Sequence, residues 1–268
     1  DQGRRGRDRS QEDRAESAGL LMQAAPGMTE KPRGPVPDEG WPAPAGMHYL
    51  DCIARLHKLV DPEWYLEIGT DQGASLVLAT CRSIAIDPEF RLAGPVWEDK
   101  PALHMFQDTS DAVFASGDVA KLGATIDLAF IDGMHLFEFV LRDFINVERM
   151  MSPDGVIILH DVVPIGAAAS ARDWDRSKTR AWTGDVWKMT EILRRWRPDL
   201  RIHVLDARPS GLAVVRGLDP TSDRLDRDYK AIVEAYLDIE LDAPRRADLV
   251  EILDLQPAQR FLDGWGAV

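Results

Sequence analysis

LEIGTDQGAS, residues 66–75, sets two glycines, Gly69 and Gly73, four positions apart just after a strand-like run that contains an acid, Glu67. Glycine at such a turn permits positive φ and removes the Cβ that would hold a ligand away from the backbone. The alternation around this stretch decides the fold. WYLEIG reads as a strand, followed by a helix from near Gln72 through SLVLATC and by SIAIDP, a strand ending at Asp87. Next come ALHMFQ, a helix from Ser110, and IDLAFIDG, a strand ending at Asp132. A long helix HLFEFVLRDFINVERMM, a turn SPDG and the strand VIILHD, ending at Asp161, complete the pattern. Strands alternating with helices predict an α/β doubly wound, mostly parallel sheet. The last two strand-like runs, RIHVLDA and GLAVVRG, are separated only by RPS, so they close the sheet as an antiparallel pair.

Outward from this core, Met47–Val60 carries Leu50, Ile53, Leu56 and Val60 at helical spacing, and Asp61-Pro62 ends the helix. Residues 1–45 are rich in Arg, Asp, Glu, Gly and Pro and read as a mobile tail. Residues 46–218 form the sheet domain, and 219–268 read as a C-terminal helical extension that packs on the sheet or on another subunit. A homo-oligomer would use those helices.

The 268 residues are 45% hydrophobic and carry a formal net charge of −13. That charge argues against nucleic acid as a partner, since binding to phosphates draws on surplus Lys and Arg. No apolar run approaches the ~20 residues that span a bilayer, so a soluble, cytoplasmic protein is expected. Cys52 and Cys81 have no motif partner and read as buried thiols. His48 and His57 read as surface or packing residues.

Ligands of open α/β sheets bind beyond the carboxyl ends of the strands. Asp87 lies twenty positions after Glu67, where a carboxylate can accept hydrogen bonds from both ribose hydroxyls. A dinucleotide fingerprint wants G-x-G-x-x-G, but Asp71 stands at the second glycine and would repel a pyrophosphate. Glu67 and Asp71 suit a ligand with an ammonium and a sulfonium.

LEIGTDQGAS resembles motif I of class I S-adenosylmethionine-dependent methyltransferases, and IAIDP resembles their ribose-binding motif, over roughly Met47 to Gly217. The resemblance implies that Gly69, Thr70 and Gly73 line the methionine part of S-adenosyl-L-methionine, with Glu67 and Ser75 close by. It also implies that Asp87 holds the ribose and that Asp108 or Ser110 lies near the adenine. AFIDGMH and VIILHD resemble the metal-assisted small-molecule O-methyltransferases that tailor macrolide sugars and cephalosporins. There Asp132, His160 and Asp161 match the positions of a divalent metal, and His135 matches a histidine general base. A histidine at 160, where relatives most often carry a carboxylate, favours a softer ion such as Mn²⁺ or Fe²⁺ over Mg²⁺, or leaves the site without a metal and His160 as a structural residue at the strand end. Residues 162–188 read as a mobile lid, with Trp182 and Asp185 as acceptor contacts and Trp187 in the core. Asp143 reads as part of a solvated helix face.

The expected activity is methylation of a hydroxyl on a small molecule, a sugar or a secondary metabolite. The alternatives are a metal-independent N- or carboxyl-methyltransferase and a non-catalytic module that binds the same cofactor. A nicotinamide oxidoreductase is disfavoured by Asp71.

Overall fold

A computed structural model describes residues 37–267, so most of the expected tail lies outside the described residues. Seven strands form one sheet: β1 (Trp64–Ile68), β2 (Arg82–Ile86), β3 (Leu103–Phe106), β4 (Ile126–Ile131), β5 (Met151–His160), β6 (Arg201–Leu205) and β7 (Leu212–Arg216). Their order is β3-β2-β1-β4-β5-β7-β6. The first five strands run parallel, while β7 pairs antiparallel with both β5 and β6. The expected doubly wound sheet with a closing antiparallel hairpin is therefore present, and it is a Rossmann-like methyltransferase topology.

Side chains alternate across the sheet, as period-two strands require. Leu66, Ile68, Ala129 and Ile131 face one core, and Tyr65, Leu128 and Phe130 face the other. Burial of both faces explains why these strands read as nearly continuous apolar runs. The first core is covered by α4 (Phe137–Glu148), α5 (Lys188–Trp196), α6 (Arg224–Tyr236) and α7 (Ala243–Leu253). The second is covered by α1 (Tyr49–Val60) and α8 (Ala258–Asp263), while α2 (Ser110–Ser116) and α3 (Asp118–Lys121) pack beside the first. The C-terminal helices thus bury their apolar faces in the cores of the sheet itself. Cys52 and Cys81 are both free thiols. No helix among the described residues is long and apolar enough to cross a membrane.

Three local expectations fail. The helix expected after Gln72 is only a 3₁₀ turn, Leu76–Leu78. Its apolar run carries no helical period, and β2 begins too soon for a full helix. The turn expected at SPDG is an irregularity inside β5, where pairing jumps from Ile126↔Met151 to Leu128↔Val156. Asp143 is buried on α4, and burial pushes its acid up to about 7 against the Ser110 hydroxyl beside it.

Candidate functional site

Strand order reverses between β1 and β4, so the loops that leave their carboxyl ends flank the crevice where such sheets bind ligands. Gly69 opens the first loop with φ 87°. Its N–H donates to the Ile86 carbonyl at 2.9 Å, and the Asp132 N–H donates to the Ile68 carbonyl at 2.9 Å. A Cβ on residue 69 would lie 1.9 Å from the Asp132 carbonyl oxygen. The glycine therefore lets the chain leaving β4 pass against β1. Gly73, with φ 79°, would place a Cβ 2.6 Å from Val96. Both glycines serve packing of the protein on itself, where the sequence pointed to room for a ligand.

Asp87, just past β2, ties the loop after β1 to its own loop. Its Oδ2 accepts from the Asp71 N–H at 2.8 Å and its Oδ1 from the Glu89 N–H at 2.7 Å. Each carboxylate oxygen keeps a further lone pair. Glu67 is wholly buried, with Oε2 accepting from the Tyr65 hydroxyl at 2.7 Å and Oε1 left without a hydrogen-bond partner. Burial pushes its acid up to about 7, opposed by the hydroxyls of Tyr65, Ser75 and Thr70. Thr70 and Ser75 are buried with it under the loop. Asp108 is exposed beyond β3 and accepts from the Thr109 N–H, while Ser110 opens α2 and turns towards Asp143.

Four of the predicted residues come together at the ends of β4 and β5. His160 Nδ1 lies 3.0 Å from Asp132 Oδ1 and 3.7 Å from Asp161 Oδ1. His135 Nε2 lies 3.3 Å from Asp132 Oδ1, and its Nδ1 lies 3.3 Å from Asp161 Oδ2. Burial alone would lower both imidazoles, yet the two carboxylates outweigh it and raise each to about 9. Burial alone would raise Asp132, yet His160 and His135 hold it well below the usual carboxylate range. A divalent cation bound among these four groups would displace protons from the imidazoles.

The donor set fits such an ion. Ligand atoms of Asp132, His135 and Asp161 all lie within 4.8 Å of one another. Two ligands held at right angles about 2.1 Å from one ion sit roughly 3 Å apart. The compact trio contains His135 where the sequence analysis put His160. The His160 ring is stacked on Tyr49, with centroids 4.4 Å apart, and its Nε2 has no partner. From there it orients Asp132.

Several contributors carried no sequence signal. Ser210, in the link between β6 and β7, donates its hydroxyl to Asp161 Oδ1. Tyr49 opens α1 over His160, and burial, then Asp132 and Asp161, push its phenol far up. Asp161 itself adopts φ 58°, a left-handed conformation uncommon for side chains other than Asn and Asp.

The segment after β5, expected to be a mobile lid, is held in this structure by several named contacts. Thr183 and Gly184 donate their N–H groups to the Ala169 carbonyl at 2.8 and 3.0 Å. Trp182 lies beside His135 with ring centroids 5.4 Å apart, stacks on Trp174, and donates its indole N–H to the Ala171 carbonyl. Asp185 is 2% exposed and is no open acceptor contact. Its Oδ1 accepts from the Phe137 N–H at 2.9 Å, and its Oδ2 meets Arg172 and Lys188. Trp187 is buried as expected. A cavity of about 580 Å³, lined in part by Trp41, Arg172, Asp185 and Lys188, has none of Asp132, His135, His160 and Asp161 in its wall.

A profile described as "Methyltransferase domain" matches residues 66–162, from β1 to just past Asp161. That segment, which runs from β1 to just past β5, is similar to a methyltransferase domain. No curated protein sequence matches it. Among solved structures, cofactor-bound Rv0187 from MTB is 16% identical over 63% of this chain and 78% of its own, with a TM-score of 0.49. The O-methyltransferase TomG from Streptomyces achromogenes, in complex with SAM, is 18% identical over 63% of this chain and 78% of its own, with a TM-score of 0.47. The O-methyltransferase from Bacillus cereus, in complex with SAH, is 14% identical over 75% of this chain and 86% of its own, with a TM-score of 0.49.

Proposed function

We propose that the protein transfers the methyl group of S-adenosyl-L-methionine to a hydroxyl of a small molecule, a sugar or a secondary metabolite. The observation that carries this is the meeting of Asp132, His135, His160 and Asp161 beside the Gly69 turn, within the segment that matches a methyltransferase domain.

In this function the loop from Gly69 through Thr70 and Gly73 faces the methionine part, with Glu67 and Ser75 bracing it from below. Asp87 offers its remaining lone pairs to the ribose, and Asp108 or Ser110 lies towards the adenine. The hydroxyl oxygen attacks the sulfonium methyl in line, the O–CH₃ bond forms as the CH₃–S bond breaks, and S-adenosylhomocysteine leaves. In the neutral form of His135, Nε2 takes the hydroxyl proton. Asp132 and Asp161 would hold a divalent ion, Mn²⁺ or Mg²⁺, with His160 steadying Asp132. When bound, that ion lowers the hydroxyl's pKa and orients its oxygen. A second reading is favoured by the compact trio: His135 is itself a ligand, and the proton leaves to solvent. Trp182 borders the acceptor. The proposed setting is the cytoplasm, with neither nucleic acid nor membrane as partner, and the protein is open to self-association.

The test begins with calorimetric titration of S-adenosylmethionine. Transfer of a labelled methyl group to a panel of sugars and phenols is then measured with chelator, Mn²⁺ or Mg²⁺. Cofactor binding and metal-dependent transfer to oxygen support the proposal. Binding without transfer to any acceptor would favour the non-catalytic module, and transfer at the untreated rate in chelator would remove the ion. His135→Ala separates the two histidine roles: a base leaves Mn²⁺ affinity intact, whereas a ligand weakens it.

A further inference from the structure

Glu67 is a carboxylate inside a parallel sheet, between Ala85 on β2 and Phe130 on β4, with no solvent exposure. Such a group destabilises the fold unless donors meet it. Tyr65 supplies one of them. Side chains two apart on a strand share a face, so the Tyr65 ring lies behind Glu67 and its hydroxyl donates to Oε2 at 2.7 Å. Burial, then Glu67, push the phenol well above its ordinary range, so the hydroxyl keeps its hydrogen. The ring is wholly buried, and the His57 ring of α1 packs edge-on against it with centroids 4.6 Å apart. From the loop after β1, the hydroxyls of Ser75 and Thr70 act on the same carboxylate. Glu67 Oε1 and Thr70 Oγ1 are both buried without a hydrogen-bond partner.

We propose that Tyr65 is a positioning residue of the Gly69–Gly73 loop, its hydroxyl fixing Glu67 Oε2 so that Oε1 is held beneath Thr70. The inference rests on the function proposed above, in which that loop faces the methionine part of S-adenosylmethionine. Tyr65 has no exposed surface and cannot meet a ligand itself, so it acts through Glu67. The two oxygens of a carboxylate are rigidly joined, and a bond to one therefore sets the direction of the other. Within the loop, the Gly73 N–H donates to the Thr70 carbonyl at 2.7 Å, and the Asp71 N–H donates to Asp87 at 2.8 Å. Without the Tyr65 hydroxyl, the buried carboxylate would draw on the loop hydroxyls that remain. The loop would give way before the strand, because β1 is paired on both of its sides.

The experiment compares Tyr65→Phe, Glu67→Leu and the two changes together in the full chain. Amide hydrogen exchange is followed without ligand, and S-adenosylmethionine is titrated by calorimetry. Tyr65→Phe should speed exchange at the Asp71 and Gly73 amides about tenfold and weaken S-adenosylmethionine about tenfold. The Ser83 amide, beside Tyr65 in the sheet and bonded to the Ala102 carbonyl, should not change. In the Glu67→Leu background the carboxylate is gone, so Tyr65→Phe should alter loop exchange less than about twofold. A merely structural loss would reach Ser83 and would add to the effect of Glu67→Leu. Unchanged loop exchange or unchanged affinity in a folded Tyr65→Phe overturns the proposal, and so does full additivity in the double variant. Should Tyr65→Phe not fold, the double variant, in which both polar partners are replaced by apolar ones, decides it against Glu67→Leu alone. Failure of the wider function appears separately, as an unmodified protein that takes up no S-adenosylmethionine while loop exchange still responds to Tyr65→Phe.

Discussion

Gly69→Ala tests the packing role of the first glycine. The added Cβ would meet the Asp132 carbonyl oxygen at 1.9 Å, its carbonyl carbon at 2.4 Å and the Gly133 nitrogen at 2.8 Å. All three are backbone atoms, which cannot swing aside. Real contacts of this kind stay above 3.0 Å, so β1 and the chain leaving β4 must part by about 1.1 Å. That shift strains the two 2.9 Å hydrogen bonds around Ile68 and Ile86. Each is worth about 0.5–1.5 kcal/mol net, and a non-glycine residue at this φ costs roughly 1–3 kcal/mol more. The sum is about 2–6 kcal/mol, which for a domain of this size moves the melting midpoint down by roughly 4–24 °C. Thermal unfolding measures it, with Gly94→Ala as the control, because a Cβ at residue 94 meets nothing within 4 Å. The displacement also moves Asp132, so turnover should drop about 10²-fold in whatever protein stays folded. A Gly69→Ala variant that melts with Gly94→Ala and keeps full turnover would refute the packing argument.

Asp185→Ala leaves Lys188, 1% exposed at its side chain, without its carboxylate. Breaking a buried pair in this way costs about 3–5 kcal/mol, and a melting midpoint unchanged from the parent would return Asp185 to the acceptor. Asp143→Asn addresses pH. Burial raises the folded acid from 3.8 to about 7, so the folded state holds its proton more tightly than the unfolded chain does. Stability is therefore lost as pH rises from about 4 to 7, by up to roughly 4 kcal/mol, and the variant should lack that part of the slope. Urea unfolding at a series of pH values decides it, and parallel curves for the two proteins would count against the buried acid. Asp132→Asn should weaken Mn²⁺ binding at least tenfold by calorimetry, and His160→Gln by about ten- to hundredfold through loss of the bond that orients Asp132. Equal affinity in both variants would empty the site of metal.

The parts of the site that the sequence disclosed share one physical cause. A parallel strand delivers its last side chain to the same edge of the sheet, so acids at the ends of apolar runs, Asp87, Asp132 and Asp161, had to lie along one crevice. The neighbouring His135 and His160 came with them. The hairpin was readable because a link as short as RPS allows only antiparallel pairing. What stayed hidden is carried by backbone atoms or by distant chain segments. The Trp182 carbonyl, 2.5 Å from His135 Nδ1, has no signature in residue type, and Ser210 reaches Asp161 from 49 residues away. Gly69 was noticed for the right reason, a Cβ that cannot fit, but its neighbour turned out to be the protein. Asp185 looked available because a Trp- and Gly-containing stretch resembles a lid. Its burial follows from the positive charges of Arg172 and Lys188, which only the folded chain brings to it.

Asp161 bears its carboxylate on a left-handed backbone, at an expense of about 1–2 kcal/mol for a residue with a Cβ. Glycine would release that strain, but it would also take away the carboxylate that Ser210 and His135 meet. A buried hydroxyl left without its acceptor costs as much as the backbone gains, so a search for heat resistance has no reason to remove this acid. The left-handed turn thus persists at position 161 without a glycine because the side chain it carries is held from two sides.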